Sequence, residues 1–276
     1  MVRYMQNYSN YDNKNCKMIN WCSYCQQFQG ESPPYNNYSI THGICPSCTE
    51  IGLDISDEQF ARIQNLVNIQ KKLFDAGFSG AEDLAKKAIT EAKMAGLQPV
   101  DLLMGIITPL LWKVGDLWES GKITVADEHR FTKVYDVIVA QIEEGEPANE
   151  CVDVLFLNAP ANTHYLGLRV LKLWLRSKGI ESDVLRNCGL EFVVSEIVKR
   201  KPRYLGFSVA ANGQLAKVLK LSEQIQKRLG PAVPQIVIGG GVIKRGDFKN
   251  SSGIIYQSDI HEFLKLLEAK QLDQKI

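Results

Sequence analysis

The second half of the chain alternates short apolar runs with segments of helical periodicity, and this pattern constrains the fold more than any other. The predicted strands are 152–157, 181–185, 204–209, 235–239 and a weaker 253–256. The predicted helices fill the gaps, at about 166–178, 190–200, 212–229 and 259–271. Strands that alternate with helices form a parallel sheet, because each parallel connection needs a crossover. We therefore predict an α/β doubly wound, flavodoxin-like, five-stranded sheet, whose ligand lies beyond the carboxyl ends of the strands.

The 276 residues divide into compositional zones that suggest more than one domain. The predicted divisions are a disordered polar tail over 1–17, a small cysteine-rich module over 18–53, a helical bundle over 54–147 and the α/β domain over 148–276. We expect a hinge or linker at 145–148, where the helical pattern ends.

The zone from 54 to 147 has helical periodicity, with breaks at 77–80, 96–99 and 119–124, so it fits a four-helix bundle. The third helix has the clearest apolar stripe, from Leu102 to Trp118. The fourth is expected to begin at Thr124, with Asp127 three residues later in an acidic variant of the capping box.

Net charge and hydropathy exclude several classes of protein. The formal charge of +1 gives no general reason to expect nucleic acid or an anionic membrane as partner. No apolar run approaches the roughly 18 residues of a membrane span, and the start of the chain has no signal-peptide core. We expect a cytoplasmic protein with no membrane association.

Four of the seven cysteines form two C-x2-C pairs, Cys22 with Cys25 and Cys45 with Cys48, separated by 19 residues. Each pair offers two thiolates on a tight turn, and four thiolates complete a tetrahedral zinc site of the structural type. Redox use of the two pairs is the alternative. The local sequence resembles short zinc-ribbon segments attached to bacterial signalling proteins.

Residues 18–53 contain Glu31 and Glu50 but no lysine or arginine. A nucleic-acid-binding surface needs cations to neutralise phosphates. We therefore expect that direct DNA binding is not the role of the module. A regulatory protein partner, or a second copy of the chain in a homo-oligomer, is the expected contact.

A lone histidine, His164, follows the first predicted strand of the α/β domain. The loop lacks the glycine-rich phosphate turn of a dinucleotide fold, since its only nearby glycine is Gly167. An imidazole here is either a structural loop residue or a metal ligand whose other ring nitrogen is held by a neighbour. Asn162 has a side-chain carbonyl that can accept that hydrogen bond.

The order and spacing of these residues resemble the cobalamin-binding signature D-x-H-x-x-G, S-x-L, G-G. After Gly167 come 40 residues, then Ser208, Val209 and Ala210, then 28 residues, then the run Gly239, Gly240, Gly241. The resemblance implies that His164 is the lower axial ligand of cobalt. It also implies that the displaced tail of the cofactor lies in a slot beside Ser208 and the glycines. Asn162 replaces the acidic residue of that family and cannot offer a negative charge, so the imidazole would be a less basic ligand. Ala210 replaces the leucine of that family.

The helical zone carries a second resemblance. The pattern W-x9-E-H, formed by Trp118, Glu128 and His129, is similar to the bundle of the adenosylcobalamin-dependent photoreceptor regulators. The resemblance implies that these three residues pack at the upper, adenosyl face. The alternatives are a bundle-core role for Trp118 and a solvated first turn for Glu128 and His129. Glu119 stands where that family has the histidine that binds cobalt after light, which leaves His129 as a substitute.

The resemblances imply three functions. The first is a sensor that holds adenosylcobalamin, responds to light and signals to a protein partner, without being an enzyme. The second is a corrinoid protein that carries a methyl group between methyltransferases. The third is a related sensor that binds haem or another tetrapyrrole in the same pocket.

Overall fold

A computed structural model describes residues 19–51, 57–143, 151–251 and 253–272. The predicted tail at 1–17 and the predicted hinge at 145–148 lie outside the described residues. Contacts between residues divide the chain into two compact units, Met1–Ile138 and Val139–Ile276.

The second unit contains a five-stranded parallel sheet. Its strands are β4 (Val154–Asn158), β5 (Ser182–Leu185), β6 (Tyr204–Ser208), β7 (Gln235–Gly239) and β8 (Ile254–Tyr256). Their spatial order is β5-β4-β6-β7-β8, and every neighbouring pair is parallel. The flavodoxin-like prediction is therefore confirmed. In this order the connections change direction between β4 and β6, which is the switch point where such sheets bind ligands.

Four predicted helices of this unit are also present, with ends within two residues of those expected. They are α7 (Leu166–Ser177), α8 (Leu190–Arg200), α9 (Asn212–Leu229) and α11 (Ile260–Leu272). Every residue of β4 is buried, because a central parallel strand is covered on both faces. Two short elements were not predicted, a 3₁₀ turn at Gly230–Ala232 and helix α10 at Gly241–Arg245.

The first unit contains the helical zone. Its helices are α2 (Asp57–Ser79), α3 (Glu82–Met94), α4 (Pro99–Leu102), α5 (Thr108–Glu119) and α6 (Val125–Glu143). The three predicted breaks are confirmed, and each contains a glycine at positive φ: Gly80, Gly96 and Gly121. None of the helices within the described ranges is long and apolar enough to cross a membrane.

The third helical segment is less regular than its sequence pattern predicts. A π-helical turn, Leu103–Ile107, separates α4 from α5, and all five of its residues are buried. The Oγ1 of Thr108 donates to the carbonyl of Leu103 across 3.0 Å, so a side chain satisfies a carbonyl at this turn. A π turn accommodates one extra residue per turn, which an apolar period of 3.6 does not reveal.

Aromatic rings fill the space between α2 and α6. The ring of Phe131 lies 5.9 Å from that of Phe74 and 5.5 Å from that of Phe78, between centroids. Tyr135 packs on Phe131 and donates its hydroxyl to the carbonyl of Leu73. The pKa of the Tyr135 hydroxyl is raised by burial.

The predicted cap of α6 is confirmed. The backbone N–H of Asp127 donates to Thr124 Oγ1 across 3.2 Å. In return, the backbone N–H of Thr124 donates to Asp127 Oδ2 across 3.0 Å. This reciprocal pair satisfies two donors at a helix end, as in a capping box.

The cysteine-rich module is also in the first unit. Its strands β1 (Ile19–Cys22), β2 (Phe28–Glu31) and β3 (Ile40–Gly43) precede the short helix α1 (Pro46–Glu50). They form a sheet in the order β2-β1-β3, with β1 antiparallel to β2 and parallel to β3. The sequence predicted a small loop-rich module but not these strands, because each has only four residues.

Candidate functional site

The loop after β4 presents His164 at the carboxyl edge of the sheet. The backbone N–H of Asn162 donates to the carbonyl of Ala159 across 2.9 Å, and Ala161 between them has a positive φ of 71°. Asn162 is buried, and its Oδ1 accepts from the backbone N–H of His164 across 3.0 Å. His164 is exposed. The turn therefore holds the imidazole at the surface, at the edge where a sheet of this order binds ligands.

Three strand ends meet beside this loop. Asn158 pairs in register with Ser208, and Ser208 pairs with Gly239. These residues end β4, β6 and β7, so the predicted Ser208 and Gly239 do lie together, next to the switch point.

Asn158 was not predicted as a site residue. Its side chain is 3% exposed, and its Oδ1 is buried without a hydrogen-bond partner among the described residues. Its Nδ2 donates to the carbonyl of Asn162 across a long 3.4 Å. A buried acceptor without a donor is destabilising, and an ordered water or a donor group of a ligand would satisfy this oxygen. The sequence feature that could have identified Asn158 is a single amide side chain at the end of an otherwise apolar strand.

Gly167 lies in the first turn of α7, where a Cβ atom would meet nothing within 4 Å. Glycine is unfavourable in a helix by roughly 0.5–1 kcal/mol relative to alanine. Neither packing nor a positive φ within the chain requires glycine here. A ligand that packs closely against the start of α7 would explain the glycine.

The glycine run after β7 has a structural explanation as well as the predicted one. Gly240 has a φ of +104°, and a Cβ on it would lie 2.6 Å from the carbonyl oxygen of Val209. A Cβ on Gly239 would lie 3.0 Å from the carbonyl oxygen of Gln257. At Gly240, glycine is required for the backbone to turn and pack. Open space for a ligand is therefore not shown by these glycines alone.

Lys244 in α10 is a second residue that sequence reasoning missed. Burial lowers the pKa of its ammonium group to about 8, and Asp259 opposes part of that shift. The short helix α10 begins at Gly241, the last glycine of the run, so Lys244 lies on the segment that leaves the carboxyl end of β7. Lysine spacing in the sequence gives no sign of the burial.

The predicted upper-face residues lie on α5 and α6. Trp118, in the last turn of α5, is 49% exposed, which argues against the alternative of a bundle-core residue. Glu128 and His129 are in the first turn of α6, with the Oε2 of Glu128 3.5 Å from the Nε2 of His129. The Glu128 side chain is 14% exposed and accepts from Thr132 Oγ1 across 2.8 Å, whereas that of His129 is 67% exposed. The alternative of a solvated first turn therefore fits His129 but not Glu128.

The four cysteines of the module form one cluster. The sulfur atoms of Cys22, Cys25, Cys45 and Cys48 all lie within 4.8 Å of one another, and those of Cys25 and Cys45 are 3.9 Å apart. Zinc–sulfur bonds of about 2.3 Å in a tetrahedron place the sulfurs roughly 3.8 Å apart. The cluster thus has the ligand set and nearly the spacing of a four-thiolate metal site.

Backbone groups around the cluster favour thiolate. Burial acts to raise the pKa of the Cys22 thiol, but backbone hydrogen bonds, including that from Cys45 N–H, lower it to about 7. Burial and the neighbouring Cys22 raise the pKa of Cys25. Thiolates packed this closely are stabilised by a cation.

A family model described as the B12 binding domain matches residues 69–143. The match covers the end of α2 and all of α3 to α6, so it falls on the helical zone.

Two relatives share a longer stretch of sequence. The HTH-type transcriptional repressor CarH of Myxococcus xanthus is 23% identical over 157 residues, 56% of this chain and 52% of that protein. Trimethylamine corrinoid protein 2 of Methanosarcina acetivorans is 21% identical over 171 residues, 60% of this chain and 79% of that protein. The chain thus spans about half the length of CarH. Because CarH is a transcriptional repressor of the helix-turn-helix type, the expectation that this chain does not bind DNA directly gains no support.

A solved structure shares the fold. The monomethylamine corrinoid protein of Methanosarcina barkeri aligns with a TM-score of 0.53 and 18% identity, covering 73% of this chain and 96% of that chain. The chain therefore resembles cobalamin-binding proteins, CarH among them, and its helical zone matches the B12 binding domain family.

Proposed function

We propose that this protein is a cobalamin-binding sensor that holds adenosylcobalamin, responds to light and regulates through a protein partner. Bound adenosylcobalamin supplies a cobalt–carbon bond that visible light can break. We assign Trp118, Glu128 and His129 to the upper group of the cofactor and His164 to the lower ligand position.

The observation that carries this proposal is the exposed Trp118 at the end of α5, with Glu128 and His129 at the start of α6. All three lie inside the segment that matches the B12 binding domain family. A large aromatic ring that is 49% exposed at a helix end is available to cover a flat ligand. The half-buried Glu128 carboxylate offers hydrogen-bond acceptors for the hydroxyl groups of an upper ligand.

The lower side is supported by the loop and the strand ends of the α/β unit. His164 is exposed, its backbone N–H donates to Asn162, and we assign its imidazole to the cobalt. The Asn158 Oδ1 lacks a donor, and cobalamin carries many amide N–H groups and a ribose hydroxyl. The Gly167 position leaves open space at the first turn of α7. These residues fit cobalamin in their chemistry, and we assign the tail of the cofactor to Asn158, Ser208 and the Gly239 strand end.

The second candidate is a corrinoid methyl carrier. Its support is the likeness in sequence to the trimethylamine corrinoid protein and in fold to the monomethylamine corrinoid protein. A carrier needs an upper face open to the active sites of its partners. The Trp118, Glu128 and His129 group argues for a covered face, which is why we place the sensor first.

The proposal includes a structural Zn²⁺ at Cys22, Cys25, Cys45 and Cys48. Four thiolates persist in a reducing compartment, so the same proposal assigns the chain to the cytoplasm. The module presents no lysine or arginine between 18 and 53. We therefore assign it to protein contacts, with a regulatory partner or a second copy of this chain.

The test is the absorption spectrum of purified protein loaded in the dark with adenosylcobalamin or methylcobalamin, before and after green light. We expect tighter binding of adenosylcobalamin, and a light-induced change to the spectrum of a cobalamin without its alkyl group. A light-stable spectrum with methylcobalamin preferred would favour the carrier. Haem uptake without any cobalamin uptake would contradict both functions.

Two pairs of variants assign the residues. Trp118→Phe should reduce the preference for adenosylcobalamin, whereas the matched change Trp112→Phe on the same helix should leave it intact. His164→Ala should weaken retention of every cobalamin and change the spectrum of the bound cofactor, whereas His129→Ala should leave dark binding in place. A cobalamin with two histidine ligands after light in the His129→Ala variant would show that another residue supplies the upper ligand.

A further inference from the structure

The cysteine module packs against the B12-matching helical segment through one apolar contact. Trp21 of β1 and Phe28 of β2 are 3% and 4% exposed, and their ring centroids are 6.2 Å apart. Both rings lie over Gly105 in the π-helical turn. A Cβ atom there would be 2.8 Å from Cδ2 of Phe28 and would overlap Cζ3 of Trp21. The two surfaces therefore fit only because position 105 has no side chain.

A polar contact lies beside the apolar one. The hydroxyl of Tyr38 donates to a carboxylate oxygen of Asp116 in α5. The side-chain amide of Gln70 in α2 donates to the backbone carbonyl of Tyr38 across 3.0 Å. One residue of the module is thus bound to two helices. Gln70, Gly105 and Asp116 all fall within the matched residues 69–143.

The module is in the size range in which a cross-link usually stabilises the fold. Its described part covers residues 19–51, and domains below about 40 residues usually need a metal, disulfides or oligomerisation. The described cysteines of the module are free thiols. The four-sulfur cluster is therefore the element that can fold the module, and zinc ligation supplies folding free energy directly.

We propose that zinc at the four cysteines holds the module on the B12-matching helical segment. Loss of zinc then removes the module and exposes the surface around Gly105 that Trp21 and Phe28 cover. The metal site and the docking surface act together. Zinc shapes β1 and β2, and their two aromatic rings then cover the π-helical turn. This inference extends the zinc site proposed above and does not depend on cobalamin or light.

The module contacts α5, the helix that also carries the proposed upper-face residue Trp118. Asp116, which Tyr38 contacts, lies two residues before Trp118 on the same helix. Loss of the module therefore releases the last turn of α5, where Trp118 lies. We expect zinc removal to increase hydrogen exchange in α5 and in the π-helical turn, ahead of any exchange in the α/β unit.

The experiment uses the full chain without cofactor. Metal analysis should give one zinc per chain, and Cys45→Ser should lose it. Hydrogen exchange is then followed for peptides of β1, the π-helical turn and α5, with zinc and after chelation. We expect at least a tenfold faster exchange in these peptides after chelation, with the α/β peptides unchanged. Absence of zinc would overturn the site, and unchanged exchange after chelation would overturn the docking role alone.

A variant pair separates docking from metal binding. Gly105→Ala places a Cβ against Trp21, so we expect full zinc content but fast exchange in β1 and in the π-helical turn. Gly115→Ala is the control, because a Cβ there meets nothing within 4 Å. Exchange in Gly105→Ala equal to that in Gly115→Ala would overturn the docking surface, whatever the outcome of chelation.

Discussion

The Oδ1 of Asn162 accepts a hydrogen bond from the backbone N–H of His164 across 3.0 Å. The side-chain amide therefore stabilises the loop by closing a turn of three residues, from Asn162 to His164. An amide oxygen has two lone pairs, so a second hydrogen bond from the imidazole ring can be added without breaking this one. A carboxylate at the same position can do both and adds a negative charge.

The first prediction concerns this position. Asn162→Asp should raise cobalamin affinity, because a carboxylate beside the ring makes the imidazole a more basic ligand. Asn162→Ala should lower affinity by about tenfold, because the hydrogen bond that closes the turn is lost and no side-chain oxygen remains to accept from the ring. Spectral titration measures both values. Equal affinities in all three proteins would contradict a role for residue 162 in orienting His164.

The second prediction compares three glycines in the α/β unit. Gly167→Ala should leave the cofactor-free protein as stable as before, or more stable by roughly 0.5–1 kcal/mol, while weakening cobalamin binding. Gly213→Ala, also at a helix start with open space, is the control and should leave binding unchanged. Gly240→Ala should destabilise the fold itself, because of its φ of +104° and its contact with Val209. Urea denaturation and cobalamin titration together distinguish the three outcomes.

The third prediction concerns the cap of α6. Thr124→Ala should lower the free energy of unfolding by about 1 kcal/mol, because the N–H of Asp127 loses its acceptor. Thr90→Ala, an exposed change inside α3, should be neutral or slightly stabilising. Thermal denaturation of both variants is the measurement. Equal effects would show that the reciprocal hydrogen bonds do not stabilise the helix.

The fourth prediction is a pH dependence at Lys244. The folded pKa is about 8 and the ordinary value is 10.5, so between these limits the unfolded chain binds more protons. The free energy of unfolding should therefore rise with pH across this window. Lys244→Met removes the cost of burying the charge and should be more stable at pH 7, by on the order of 1–3 kcal/mol. Urea denaturation at several pH values should show this advantage shrinking as the pH approaches 10.5, and a constant advantage would contradict the burial effect.

The sheet could be predicted from the sequence because the pattern that indicates it, an apolar run followed by a helical segment, is local and repeats along the chain. Each apolar run is bounded by turn residues, and each gap has room for one helix, so a parallel sheet follows from general rules. The metal cluster was equally accessible, since two C-x2-C pairs need no tertiary information. The positive-φ glycines at 80, 96 and 121 lie within the predicted breaks for the same reason.

Other features depend on contacts that no local pattern reveals. The missing partner of Asn158 Oδ1 and the burial of Lys244 are properties of packing. The contact of Trp21 with Gly105 joins residues more than eighty positions apart. The π-helical turn escaped because apolar residues on both sides of it continue a plausible α-helical stripe. The assignments of His164, Trp118, Glu128 and His129 to the two faces of a cofactor remain predictions.

The π-helical turn Leu103–Ile107 contains one residue more than the corresponding turn of an α-helix. Each residue turns an α-helix by about 100°, so one extra residue rotates everything that follows by that angle. The turn thus fixes which side of α5 carries Asp116 and Trp118, relative to helix α4, which precedes the turn. A one-residue deletion inside this turn would turn α5 about its axis without changing any side chain on it. Residue count, rather than residue identity, sets the direction in which the last turn of α5 points.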